Sequence, residues 1–207
     1  AEADADYLGF WEARARELEW QAPWRTVMDD TRAPFFQWFP EARTNIVHNA
    51  LDRHVATWRR NKLALIWEGE PGDLRTFSYH ALHREVGQFA QVLKSMGAQR
   101  GDRITIYMGR IPEIVIAMLA CAKIGAIHSV VYGGFSVEAL HGLDLTIPPG
   151  QLLAADGGWL NGKIVRLKDI ADEALRRCAS VEHVVVVRRT GHEVRMGSRT
   201  AGNDKAA

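Results

Sequence analysis

The pattern of apolar and polar residues is most informative between positions 103 and 136, where it predicts a strand, a helix and a second strand. Apolar residues at alternate positions between 104 and 108 are typical of a strand. Pro112 suits the first turn of a helix, because the N–H that proline lacks has no acceptor there. Gly125 falls where a left-handed residue would end that helix. The segment therefore predicts a βαβ unit.

A glycine pair follows the second strand of this unit. Residues 127–132 form an apolar run that predicts a buried strand, and Gly133 and Gly134 come directly after it. Ligands bind at the carboxyl ends of strands in open parallel sheets, and residues without a side chain let a ligand approach the backbone closely. The local pattern alone favours a structural turn between a strand and a helix.

The rest of the chain also alternates between helical and extended patterns. Ser78 is a suitable N-cap for a helix with one buried face, and the four valines at 184–187 predict a strand that is buried on both faces. Residues 21–39 are rich in aromatic residues and proline and predict an irregular arm. Further helices are predicted over 7–20, 45–59, 79–96 and 165–178, and further strands over 63–67, 75–77, 152–155 and 184–188. The fold class that follows is α/β, a mostly parallel sheet with helices on both faces.

The composition is that of an ordinary globular protein. The chain has 207 residues, of which 47% are hydrophobic and 25% are charged, and its formal net charge is +1. This charge gives no basis for binding nucleic acid or an anionic membrane surface, and no apolar run is long enough to span a bilayer. Cys121 and Cys178 are not spaced as a metal-binding pair, so we expect reduced thiols, a cytoplasmic location and no metal site.

Five long motifs follow one another along the chain. They are WFPEARTNIVHNALDRHV (38–55), IWEGEPGDLRTFSYHAL (66–82), GDRITIYM (101–108), LACAKIGAIHSVVYGGFS (119–136) and ADGGWLNGK (155–163). Together they resemble the amino-terminal portion of AMP-forming acetyl-CoA synthetases, which are adenylate-forming enzymes, over most of residues 7–196. With the element pattern, the resemblance implies an aromatic arm with helices at 1–60, a partial α/β domain at 61–196 and a disordered tail at 197–207.

The resemblance implies a two-step ligation of acetate to coenzyme A (CoA). In the family, ATP and acetate give acetyl-adenylate and pyrophosphate with Mg as the metal cofactor, and the CoA thiol then displaces AMP. The 207 residues do not include the family's Ser/Thr/Gly-rich phosphate loop, its later nucleotide-binding motifs or the domain with the catalytic lysine. We therefore expect no catalytic residue here, no activity from this chain alone, and the missing carboxyl-terminal portion as a partner.

The resemblance also implies contacts with CoA at two places. Tyr132 stands where the family usually has phenylalanine, and with Gly133 and Gly134 it matches a segment that lies against CoA. Lys163 matches the second of two cationic positions that meet CoA phosphates, whereas Leu160 occupies the first, where arginine is usual. Loss of that cation removes a charge-assisted hydrogen bond of about 1.5–3 kcal/mol, so we expect a reduced affinity for CoA.

Two other interpretations are open on the sequence. Residues 157–164, GGWLNGKI, nearly match the phosphate-binding P-loop of nucleotide-binding proteins, but Ile164 cannot supply the hydroxyl that ligates Mg²⁺. The other alternative is a non-catalytic module that binds CoA or a partner chain through an open edge of its sheet.

Three segments depart from the family pattern. Gly109 and Arg110 replace a Pro-Met pair that usually precedes the IPE motif. Residues 143–151 include the run Pro148-Pro149-Gly150, which cannot be helical where the family has a helix-compatible segment. Residues 197–207 abandon the pattern completely. A truncated copy, an altered reading frame or an excised piece would each produce these departures.

Overall fold

The computed structural model describes residues 2–133, 150–176 and 181–197, and the chain divides into two compact units, Ala1–Lys62 and Leu63–Ala207. The predictions made for Gly134, Cys178, the segment 143–149 and the tail 198–207 lie outside the described residues.

The first unit begins with two short helices and an aromatic arm. Helix α1 spans Glu2–Ala5 and α2 spans Tyr7–Ala15, and strands β1 (Met28–Asp29) and β2 (Gln37–Trp38) form a small antiparallel pair. The prediction of a helix as far as position 20 is wrong, because the Trp20 indole Nε1 donates to the Ala15 carbonyl at 2.8 Å and turns the chain there. The rings of Trp20, Trp24 and Phe39 then pack with centroids 4.8–5.6 Å apart. Aromatic side chains of residues 20–39 thus pack against one another.

The helix predicted over residues 45–59 is broken into three pieces. A π-helical turn spans His48–Asp52, helix α3 spans Arg53–Val55, and a 3₁₀ turn spans Trp58–Asn61. The first two are continuous, and Thr57 separates them from the 3₁₀ turn because its backbone is extended and its hydroxyl oxygen accepts from the Arg59 N–H at 3.2 Å. This capping bond competes with helix continuation, which the apolar periodicity alone could not indicate.

Within its described residues, the second unit contains two antiparallel hairpins, a four-stranded parallel sheet and three helices. Ser78 caps the first of these helices as predicted, since its hydroxyl accepts from the Ala81 N–H at 3.2 Å. The strands of the first hairpin are β3 (Leu63–Glu68) and β4 (Leu74–Ser78). The sheet consists of β5 (Arg103–Met108), β6 (Ile127–Tyr132), β7 (Gly150–Ala155) and β10 (Val181–Val187), and the helices are α4 (Tyr79–Ser95), α5 (Pro112–Ile124) and α6 (Leu167–Leu175).

The predicted βαβ unit is confirmed in detail. Pro112 occupies the first turn of α5, and Gly125 ends the helix in the left-handed region with φ 78°. Strands β5 and β6 then pair in parallel along their whole length. Sequence and structure agree here because proline, glycine and apolar periodicity all favour the same boundaries.

The order of strands across the sheet is β10-β7-β5-β6. Strand β6 is therefore added on one side of β5, whereas β10 is added on the far side of β7, toward the opposite edge of the sheet. Because crossovers between parallel strands are almost always right-handed, we expect α5 and α6 on opposite faces of the sheet. The strand order reverses between β5 and β7, and in such sheets the crevice at the carboxyl ends of those two strands binds ligands.

The core of this unit lies around the two central strands. Ile106 and Tyr107 of β5 and Leu153 and Ala154 of β7 are fully buried. The prediction of a buried strand is wrong for β6, whose Ile127 is 55% exposed, because β6 is an edge strand within the described part of the sheet. The four valines at 184–187 of β10 are only half-buried, because β10 is the other edge strand of the described sheet.

Candidate ligand cavity at the carboxyl edge of the sheet

A cavity of about 510 Å³ lies at the carboxyl edge of the parallel sheet. It is formed where β5 and β6 end and is closed by the turn of the β3–β4 hairpin and by a second hairpin that follows β7. Its volume is within the range of small-molecule sites. The residues that line it include Trp67, Glu68, Glu70, Met108, Gly109, Arg110, Val130, Tyr132, Gly133, Trp159, Leu160 and Arg189.

The segment that resembles a CoA contact reaches this cavity. Tyr132, the last residue of β6, is 48% exposed and lines the cavity together with Gly133. A Cβ at Gly133 would lie 3.0 Å from the Met108 carbonyl oxygen and 3.3 Å from the Gly109 nitrogen. Glycine is therefore required at position 133 because the backbones at the ends of β5 and β6 lie close together, whether or not a ligand is bound.

The segment that resembles a P-loop is a tight β-hairpin. Strands β8 (Gly158–Leu160) and β9 (Lys163–Val165) pair antiparallel, and Asn161 and Gly162 turn between them with φ values of 52° and 74°. A P-loop instead leads directly from a strand into a helix, so the P-loop interpretation is wrong. The signal for the hairpin was the Asn-Gly pair between apolar residues, which the sequence analysis missed.

The hairpin places side by side the two positions that the resemblance pairs as phosphate contacts. Leu160 and Lys163 are register partners on either side of the turn. Leu160 lines the cavity, whereas Lys163 is exposed on the neighbouring strand and is not among the described residues that line it. Tyr132, Gly133 and Leu160 thus line one cavity, and Lys163 lies beside Leu160 on the paired strand.

Asp156, which the sequence analysis overlooked, holds the loop after β10 against the end of β7. Its side chain is 1% exposed. Oδ1 accepts from the N–H groups of Gly157 and Arg189 at 2.7 Å and of Thr190 at 3.0 Å, and Oδ2 accepts from the Gly191 N–H at 2.7 Å. Burial by itself would raise the pKa of this carboxyl, but the backbone donors outweigh it and hold the pKa below its usual value.

The loop that Asp156 holds presents Arg189 to the cavity. Its guanidinium donates to Asp73 Oδ1 at 3.0 Å and lies over the Trp67 ring, 5.0 Å from the centroid. The Trp67 indole Nε1 in turn donates to the Arg110 carbonyl at 2.6 Å. These contacts tie the β3–β4 hairpin to the ends of β5 and β10 and close one side of the cavity.

The charges around the cavity are mixed. Glu70 accepts a hydrogen bond from the Gly162 N–H, and Arg189 is paired with Asp73. Within residues 2–133, 150–176 and 181–197, no group of three or more His, Cys, Asp or Glu side chains is placed to hold a metal ion. In the same ranges, no helix is both long and apolar enough to cross a bilayer.

Comparison with protein-family models gives two matches that together cover residues 1–157. Residues 51–157, half of the chain, match the model of the AMP-binding enzymes. Residues 1–50 match the model of the acetyl-coenzyme A synthetase N-terminus.

Individual relatives agree with these matches. The chain is 51% identical over 187 residues to an acetyl-coenzyme A synthetase of Gemmatimonas aurantiaca, covering 90% of this chain and 28% of the relative. It is 46% identical over 190 residues to that of Pyrobaculum aerophilum, covering 88% and 28%. Among solved structures, the acetoacetyl-CoA synthetase from Streptomyces lividans matches with a TM-score of 0.85 and 27% identity, over 94% of this chain and 30% of that one. The chain thus spans less than a third of the length of the proteins it matches.

Proposed function

Because the chain belongs to the AMP-binding enzyme family and aligns with the amino-terminal part of acetyl-CoA synthetases, we propose that it contributes part of the CoA-binding surface of an AMP-forming acetate–CoA ligase. Such a ligase converts acetate, ATP and CoA to acetyl-CoA, AMP and pyrophosphate, with Mg²⁺ bound to the nucleotide. The observation that carries the proposal is that Tyr132, Gly133 and the β8–β9 hairpin meet at one cavity where the strand order reverses.

Each of the proposed contacts has a separate role. The half-exposed ring of Tyr132 offers an apolar face to CoA, and Gly133, which also lines the cavity, offers backbone that a ligand can approach. Lys163 donates a charge-assisted hydrogen bond to a phosphate of CoA from the exposed strand β9. This distribution gives CoA one apolar contact, one backbone contact and one cationic contact.

The proposal assigns no adenylation step to these residues. ATP, Mg²⁺ and acetate are what the family uses, and the groups that would act on them belong to family motifs outside the 207 residues. In this assignment the described residues bind and orient CoA, and no group among them is given the role of acid, base or nucleophile.

The test is a comparison of CoA affinities by calorimetry for the wild-type chain, Lys163→Ala and a matched control. Removal of one charge-assisted hydrogen bond of about 1.5–3 kcal/mol predicts a 10- to 150-fold loss of affinity in Lys163→Ala. Lys94→Ala is the control, because Lys94 is an exposed lysine on α4 that does not line the cavity. Equal affinities for wild type and Lys163→Ala would place the phosphate contact elsewhere, and absence of CoA binding to the wild type would refute the proposal.

A further inference from the structure

The cavity contains a cation that neither the family pattern nor the proposed contacts account for. Arg110 follows β5 directly and lines the cavity, as does Leu160 on the opposite hairpin. At both positions this chain departs from the residue that is usual in the family: arginine is usual at 160, and methionine is usual at 110. One cationic position is therefore lost and one is gained around the same cavity.

Hydrogen bonds hold the backbone around Arg110, whereas its side chain is exposed to solvent. The Arg110 carbonyl accepts from the Trp67 indole Nε1 at 2.6 Å, and the Ile111 N–H donates to the Gly109 carbonyl at 2.9 Å. The residue itself is exposed. A guanidinium carried on a fixed backbone loses less entropy on binding a phosphate than one on a mobile loop.

Two of the other charged groups that line the cavity, Arg189 and Glu70, are already engaged, and the third, Glu68, is an exposed carboxylate. Arg189 is held by Asp73 and by the Trp67 ring, and Glu70 is bonded to the Gly162 N–H. Among the described residues that line the cavity, Arg110 is the cation for which the structure shows no carboxylate partner. Its charge is therefore available to an anionic ligand without breaking an existing ion pair.

We propose that Arg110 is a phosphate-binding residue of the CoA site and takes the place of the arginine that Leu160 has replaced. The inference rests on the proposed CoA site and deepens it, because it names which cation meets the phosphates from within the cavity. Arg110 is not assigned any part in the chemical steps.

The experiment measures the affinity of CoA, and of the phosphate-free fragment pantetheine, for the chain and its variants. Arg110→Met restores the residue usual in the family and is expected to lower CoA affinity 10- to 150-fold while leaving pantetheine affinity unchanged. Arg110→Lys keeps the charge and is expected to retain most of the affinity. Addition of Leu160→Arg to Arg110→Met is expected to recover it. Arg84→Met, an exposed arginine of α4 outside the cavity, is the control.

The salt dependence gives a readout that a merely structural role would not change. Raising the ionic strength weakens an exposed guanidinium–phosphate contact, so CoA affinity should depend less on salt in Arg110→Met than in the wild type. If the wild type binds CoA and Arg110→Met binds it equally well, the inference is wrong and the proposed function stands. Equal losses of CoA and pantetheine affinity would also overturn it, since they would indicate a change of cavity shape. If the wild type does not bind CoA, both the inference and the proposed function fail.

Discussion

Asp156 is expected to stabilise the second unit more than any exposed carboxylate of the chain. Its two oxygens accept from the backbone N–H groups of four residues, Gly157, Arg189, Thr190 and Gly191. In Asp156→Ala these donors lose their acceptor, and each unsatisfied buried donor costs about 1–3 kcal/mol. Three of the donors lie in a half-buried loop that water can partly reach, so the low end of that range applies. The expected loss in the free energy of unfolding is therefore about 4 kcal/mol.

Asp156→Asn distinguishes the contributions of the two carboxylate oxygens to stability. The remaining carbonyl oxygen can keep the three donors of Oδ1, but the amide nitrogen would face the Gly191 N–H, which Oδ2 now accepts at 2.7 Å. One unsatisfied donor predicts a smaller loss, about 1–3 kcal/mol. The control is Asp169→Ala, because Asp169 is exposed and its contact with Arg166 is 3.5 Å long, and a change below about 0.5 kcal/mol is expected.

Urea unfolding followed by circular dichroism gives these free energies, and hydrogen exchange of the amides at 189–191 locates the effect. The pKa of Asp156 is lower in the folded state than in the unfolded state. Its contribution is therefore complete above the unfolded pKa of about 3.9 and is lost as the pH falls through the lower, folded pKa. Asp156→Ala should flatten the dependence of stability on pH in that acid window. Equal stabilities of Asp156→Ala and Asp169→Ala, with unchanged exchange at 189–191, would refute the reasoning.

Two further predictions concern a glycine and a thiol. Gly125→Ala should lower the free energy of unfolding by about 1 kcal/mol, because Gly125 has φ 78° and a Cβ there would lie 3.0 Å from Arg100 Cγ. Gly87→Ala, inside α4 with no atom within 4 Å of an added Cβ, should instead stabilise by about 0.5–1 kcal/mol in the same unfolding assay, and two changes of the same sign would contradict the argument. Burial raises the pKa of the Cys121 thiol to about 12, so in a Cys178→Ser variant a colorimetric thiol reagent should detect no thiol at pH 8 until urea unfolds the protein. Rapid labelling of the folded variant would show that Cys121 is accessible.

The sequence predicted the ends of helices correctly where a residue type strongly favours one position at a helix end. Pro112, Gly125 and Ser78 each mark a helix end, and each does so in the structure. The predictions failed where the outcome depends on tertiary partners. The burial of β6 depends on which strands lie beside it, and the end of α2 depends on the Trp20 indole.

The candidate cavity could be predicted only in part for the same reason. The glycine pair after an apolar strand indicated that a ligand could bind at this edge of the sheet. The family resemblance indicated Tyr132 and Gly133, which line the cavity. Asp156 and Arg189 could not be identified, because their roles arise from hydrogen bonds between segments more than 30 residues apart in the sequence. Arg110 could be recognised as a departure from the family, but the sequence does not show that Arg189, the other arginine that lines the cavity, is already paired with Asp73.

The strand order also has a consequence for how the second unit folds. Arg103 pairs with Ile127, 24 residues away, whereas Ile104 of the same strand pairs with Gln151, 47 residues away. Doubling a loop adds about 0.6 kcal/mol to the entropic cost of closing it, so β5 with β6, and β7 with β10, should each assemble before the two halves join. The cavity lies across that junction, so in this order of assembly it forms only after β5 has paired with β7. A molecule that binds in the cavity would stabilise the contact between the two halves. It should therefore slow the separation of β5 from β7 more than it slows local unfolding within either half.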